Sequence, residues 1–292
     1  MPMIFSVIGL QLVSALVSAT FLFLMAAGLS LIFGVCRVLN LAHGSIFMLG
    51  AYLAYSVTRV VSSSTESFWL AMLLVPLVTA LLGALLEILL IRRFYGANLL
   101  VQLMPMVALI YIISDFSRFV WGVSPGSVPV LGLFGTVTIL ELTFPAYYLV
   151  VVLASMVVAA GLWFVITRTR WGILIRAASQ DREMSAACGV NQTRLFTTVY
   201  ALASGLAGLA GVLAVPISGA SLEMDVSTVV NALVVVVVGG MGSVLGSMLA
   251  AILIGLVNAF GILVLPQFEM TFVYALMALV LIIRPTGLFG RE

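Results

Sequence analysis

The chain has 292 residues, 64% of them hydrophobic and only 8% charged, with a net charge of +2. Soluble domains carry about 25% charged residues, so this chain could not cover a water-facing surface. Its arginines form no stripe suited to nucleic acid, its two cysteines give neither a disulfide framework nor metal-ligand spacing, and its single histidine makes no zinc or haem cluster.

Apolar runs long enough to cross a bilayer, about 17–25 residues each, recur from end to end without the alternating polarity of barrel strands. The expected class is an all-α, polytopic membrane bundle, with residues 1–292 forming a single transmembrane domain. The first run, 8–33, lacks a basic leader and is too long for a cleaved signal peptide. It gives way to "RVLNLAHGSIFMLGAY", residues 37–52, which gathers Arg37, Asn40, His43, Gly44 and Ser45 in an otherwise oily chain. Further spans are expected at 43–60, 68–91, 100–120, 146–167 and 195–216. The block 227–265 exceeds one helix and is interrupted by "GGMGS", 239–243. It is either two spans or one span plus a re-entrant segment. A last span at 269–284 brings the total to eight or nine membrane segments, with two broken or re-entrant stretches.

Arginine bias sets the expected orientation. Arg92 and Arg93, the run Arg168, Arg170, Arg176, Arg182 and Arg194, and Arg284 with Arg291 mark three cytoplasmic regions. The loops 61–67, 121–145 and 217–226 hold Glu66, Glu141, Glu223 and Asp225 but no arginine, and are expected outside. The side of the N-terminus stays open. Asp115 and Arg118, three residues apart, lie on one helix face as a structural ion pair. Glu87, one turn before Arg92, is expected to serve the cytoplasmic boundary.

The segment "TRTRWGILIRAASQDREMSAACGVNQTRL", 167–195, is longer than the 2–8 residues that a helix connection usually needs. Its centre reads as a short helix from Asp181 to Cys188, with Asp181 as cap, Glu183 in the first turn and Gly189 as stop. Ala177, Met184, Ala187 and Cys188 offer a small apolar face, with Arg170, Arg176, Arg182 and Arg194 around it. Such a helix suits a partner's groove; a solvated positive-inside loop is the alternative. The chain has no lysine, so it cannot form a P-loop, which needs one on the β/γ-phosphates.

Three blocks together carry a resemblance: "GLSLIFGVCRVLNLAHGSIFMLGAYLAY", "WGILIRAASQDREMSAACGVN" and "VVGGMGSVLGSMLAAILIGLVNAFG". In order and spacing they closely resemble the permease subunits of branched-chain amino acid ABC transporters, specifically the smaller of the two paired permeases. The resemblance implies a non-catalytic importer subunit in a bacterial inner membrane, surrounded by lipid. Its implied partners are a homologous second permease, different or a second copy, two ATPase subunits and an extracytoplasmic substrate-binding protein. It implies that ATP and Mg2+ are used by the ATPases, with no cofactor, metal or catalytic residue in this chain. It assigns the 168–194 loop, with Arg176, Ala177, Asp181, Arg182, Glu183, Ala187, Gly189 and Asn191, to ATPase contact.

Two Gly-and-Ser breaks stand near the two ends of the chain and align on Gly44-Ser45 and Gly242-Ser243. Paired interruptions point to a transporter's binding site. Asn40, His43, Gly44 and Ser45, with Gly239, Gly240, Gly242 and Ser243, are therefore candidates for the pathway or gate, against the alternative of ordinary caps and close packing. An ion-coupled secondary transporter is the rival function. It usually needs embedded acids, and the sequence offers few, all near span ends. An intramembrane enzyme would need a nucleophile–base pair that one histidine does not supply.

Overall fold

The computed structural model describes residues 2–61, 65–123, 134–139 and 142–290. The expected external Glu141 and cytoplasmic Arg291 lie outside the described residues. Among the described residues, eleven α-helices follow one another: α1 (Pro2–Cys36), α2 (His43–Val60), α3 (Thr65–Leu89), α4 (Leu99–Trp121), α5 (Tyr147–Arg168), α6 (Arg170–Gln180), α7 (Arg182–Ala187), α8 (Gln192–Ser218), α9 (Met224–Gly239), α10 (Val244–Val264) and α11 (Glu269–Ile283). Among the described residues, six are long and apolar enough to cross a membrane: α1, α3, α4, α5, α8 and α10. The remaining apolar helices α9 and α11 are shorter, and α2 spans 18 residues.

Local chemistry explains where these helices start and stop. The Asn98 side chain accepts from the Val101 N–H to open α4, and Asn191 accepts from Arg194 to open α8. Each satisfies one of the N–H groups that a first turn leaves unpaired. Gly122 and Gly219, with φ of 82° and 72°, close the same two helices in a conformation that glycine adopts without penalty.

Two of the six long helices are interior. The spans α1 and α8 are each 72% buried, whereas α3 and α5 are 22% and 17% buried. α8 packs on α1, α2 and α3, while α1 also packs on α9 and α10. Side chains such as Leu73, Leu81, Tyr111, Phe119 and Val157 stay exposed on the outer helices. An apolar face of this kind suits lipid, where backbone groups are already satisfied within the helix. On α8, Ala203, Ala207 and Gly211 are buried, and a Cβ on Gly211 would run into the backbone of α2. Small residues at four-residue spacing permit such a close approach.

Part of the expected external loop 121–145 is ordered as an antiparallel hairpin. β1 (Thr136–Ile139) pairs with β2 (Leu142–Pro145) in the register Thr136↔Pro145 to Ile139↔Leu142. Edge-on contacts of Phe68 with Phe134 and Tyr147, at 5.8 and 5.6 Å between ring centroids, pin it against α3 and α5. Such aromatic pairs add stability beyond the area they bury.

Candidate functional site

The first break is a re-entry into the bundle. α1 ends at Cys36, and Arg37 takes a φ of 53°, the left-handed turn that commonly follows a helix. Residues 37–40 are irregular, a turn follows, and α2 starts at His43. A Cβ on Gly28 of α1 would fall 2.7 Å from His43 Nε2 and 3.0 Å from the Ala203 carbonyl. Gly28 lies eight residues before Cys36, about 12 Å along the helix axis. α2 therefore begins well inside the bundle.

Asn40, His43, Gly44 and Ser45 are all buried. Neither ring nitrogen of His43 makes a full hydrogen bond among the described residues, although the Met25 backbone of α1 lies within reach of the ring. Ser45 Oγ donates to Asp225 Oδ2 over 3.4 Å, and a Cβ on Gly44 would overlap the Asp225 backbone carbonyl. Asp225 is thus a correction to the expected external loop 217–226. It lies in the first turn of α9 and is 5% exposed. The N-termini of α2 and α9 converge on this point. A helix N-terminus carries roughly half a positive charge, which offsets part of the cost of burying the Asp225 carboxyl. This acid too stands near the end of an apolar helix, in keeping with the sequence reading, but it is buried there.

The second break is built differently. α9 stops at Gly239, Gly240 and Gly242 take φ of 99° and 86°, and Ser243 opens α10 by accepting from the Gly246 N–H at 3.0 Å. Left-handed backbone at two of three consecutive positions calls for glycine there. A Cβ on Gly34 would come within 3.0 Å of the Gly242 Cα, so this turn abuts the last part of α1. Residues 284–290 fold over it, with the N–H groups of Leu288 and Phe289 donating to the carbonyls of Val238 and Gly239 at 2.9 and 3.0 Å. Gly239 and Gly240 are buried, Ser243 is half-buried and Gly242 is exposed.

The two Gly-Ser pairs are not brought together, although the second turn abuts the end of α1 where the first break begins. Gly44-Ser45 meets the start of α9, and Gly239 to Ser243 follows its other end. The spatial partner of the first break is Asp225, which the alignment of Gly-Ser pairs did not select. Asn231 of α9 is exposed, and Asn258 of α10 is half-buried.

The loop after α5 is two helices, not one. α6 precedes the expected short helix, which appears as α7. Asp181 accepts from the Met184 N–H at 2.9 Å, and Gly189 takes a φ of 85°, the cap and stop its sequence predicts. Asp181, Glu183, Met184, Ala187, Cys188, Gly189 and Asn191 are exposed, while Arg176, Ala177 and Arg182 are half-buried. The Arg176 guanidinium donates to the Ile166 carbonyl of α5. An open groove beside α7 is lined by Trp171, Leu174, Val190, Arg194, Leu195 and Thr198.

Behind this loop lies a polar network that the sequence shows only in part. Glu87 is fully buried. It accepts from Arg92 Nε and Nη2 at 3.1 and 2.9 Å, from Tyr95 Oη at 3.1 Å and from Thr197 Oγ1 at 2.7 Å. A carboxylate so buried is tolerated because each oxygen is paired. Burial pushes the Tyr95 phenol well above its ordinary range, which keeps it a donor. Asp115 and Arg118, by contrast, are both exposed and 3.9 Å apart on α4.

Comparison with known proteins agrees over nearly the whole length. A family model described as branched-chain amino acid transport system / permease component matches residues 11–283. The high-affinity branched-chain amino acid transport system permease protein BraD of Pseudomonas aeruginosa is 27% identical, covering 96% of this chain and 95% of BraD. The corresponding permease protein LivH of Salmonella typhimurium is 22% identical, covering 92% of this chain and 91% of LivH. The ribose import permease protein RbsC of Escherichia coli is 23% identical across 80% of this chain and 72% of RbsC. No solved structure matches the chain.

Proposed function

This chain belongs to the branched-chain amino acid transport system permease family, and on that premise we propose that it is the membrane-spanning subunit of an ABC importer. It carries a small polar solute, in the first instance a branched-chain amino acid, across a bacterial inner membrane. Transport is by alternating access, driven by separate ATPase subunits that use ATP and Mg2+. A second permease subunit completes the pathway, and an external binding protein delivers the solute. The chain forms nine membrane segments, α1–α5 and α8–α11, with the α6–α7 loop and the C-terminus in the cytoplasm.

The observation that carries this reading is the loop 170–191. It is an ordered helical pair on a polytopic bundle, exposed along the face that bears Glu183, Met184 and Ala187 and rooted on the other by Arg182. Partner-driven motion needs such an element, stiff and open to contact. The absence of any lysine leaves nucleotide chemistry to a partner. Coverage favours amino acids over sugars, since BraD aligns with 96% of this chain and RbsC with 80%.

The buried Asp225 favours one second reading. An acid paired with Ser45 inside the bundle is the kind of group that ion-coupled carriers use. One measurement separates the two. Vesicles with the chain and its ATPase partners should take up leucine only with ATP inside; uptake driven by an ion gradient without them would overturn the importer reading. His43→Gln, with assembly verified, should lower that ATP-driven uptake. Unchanged transport would remove His43 from the pathway.

A further inference from the structure

Arg182 is the point at which four separate elements meet. It is the first residue of α7, and its Nη2 donates to the Cys36 carbonyl, the last of α1, at 3.1 Å. Its guanidinium lies 4.4 Å from the ring centroid of Phe196 on α8 and 5.8 Å from that of Tyr95. Those rings meet edge to face at 5.2 Å, so the cation is held in an aromatic corner. The Arg182 carbonyl accepts from Gln192 at the start of α8. Tyr95 in turn donates to Glu87 of α3, which extends the contact into the buried network.

The target on α1 has a particular character. The last carbonyls of a helix have no partner within it, and a cation there is favoured by the helix dipole. Cys36 is followed at once by Arg37, the sole non-glycine residue with positive φ among those described, and then by the re-entry that leads to His43. A guanidinium suits this role where an ammonium does not, because its flat fork stacks on rings while still donating in plane.

We infer that Arg182 is a positioning residue, the pin that transmits movement of α7 to the end of α1 and the re-entry at 37–42. This rests on the reading that α6 and α7 meet ATPase subunits. Movement of α7 pulls the Cys36 carbonyl through one charge-assisted hydrogen bond, with Phe196 and Tyr95 as the bearing. The start of α2, and Asp225 opposite it, lie downstream of that pull.

The test uses the assembled complex in proteoliposomes, with uptake of radiolabelled leucine and phosphate release measured on the same vesicles. Arg182→Gln should leave ATP hydrolysis largely intact while uptake per phosphate falls about tenfold, the order of one lost coupling interaction. Arg182→Lys should fall between. An unchanged ratio in Arg182→Gln would overturn the proposal. Should Arg182→Gln fail to assemble, Phe196→Leu decides, since it removes the bearing and leaves the hydrogen bond: a lowered ratio supports the pin and an unaltered one refutes it. Failure of the importer reading itself looks different, because the wild-type complex would then show no ATP-driven uptake.

Discussion

The two interruptions of this bundle look alike in sequence and differ in every physical respect. At the first, Gly44 and Ser45 are buried and pressed against another helix start, with a carboxyl between them. At the second, Gly242 is exposed, Gly240 and Gly242 have left-handed backbone, and a strap of later residues closes over the turn. One is a junction of two helix N-termini, where the backbone field is positive; the other is a hairpin bend between an end and a start. Only the first brings a buried carboxyl between its helix starts. A glycine–serine pair therefore signals a break without saying which kind.

Substitutions can break this contrast, beginning with the largest effect. Gly44→Val forces side-chain atoms into the Asp225 carbonyl. Overpacking against backbone should cost about 3 kcal/mol or more, read as a large fall in the thermal midpoint of the purified complex. A wild-type midpoint would mean that the two helix starts are free to part. Asp225→Ala leaves the buried Ser45 hydroxyl unpaired, a loss of about 1–3 kcal/mol, whereas Asp225→Asn keeps an acceptor and should lose less. If the two variants match in denaturant titration, the Ser45 contact contributes nothing.

The second break should respond more weakly. Gly242→Ala forces an L-residue into a φ of 86°, at about 1–2 kcal/mol. The methyl would also press on the Gly34 Cα at 3.1 Å, a looser contact than the overlap at Gly44, so uptake should survive where Gly44→Val abolishes it. The baseline is the Asp115–Arg118 pair, 3.9 Å apart and exposed. Asp115→Asn should shift stability by less than about 0.5 kcal/mol; a larger shift would show that α4 is covered in the assembled complex.

Hydropathy alone gives most of the frame. The expected span 43–60 coincides with α2, and 100–120, 146–167 and 269–284 differ from α4, α5 and α11 by a residue or so at their ends. Bilayer length and continuous apolarity leave little choice there. The α7 cap and stop were equally legible, because Asp181 and Gly189 act on their own neighbours. What could not be read was distance across the fold. Asp225 follows a polar stretch, and hydropathy assigns such a stretch to water. It is instead carried inward because the chain re-enters after α8, and only tertiary contact with Gly44 reveals this. Glu87 reads as a boundary charge, yet it is a fully buried hub, since all four of its donor atoms, on Arg92, Tyr95 and Thr197, come from segments beyond α3. Arg182 counts toward inside-positive bias like any other arginine. Its separate role comes from Cys36, Tyr95 and Phe196, which no spacing rule connects to it.

The strap over the second break bears on the order in which the protein is made. Leu288 and Phe289 satisfy the carbonyls of Val238 and Gly239, so these two groups at the end of α9 wait for α10 and α11 to be made before they gain their partners. Biogenesis of the interior is thereby tied to the last turns of the chain. A nascent chain stalled or cleaved before residue 288 would present cellular quality control with an open helix end, and a fusion tag joined directly after 290 would sit beside that seam.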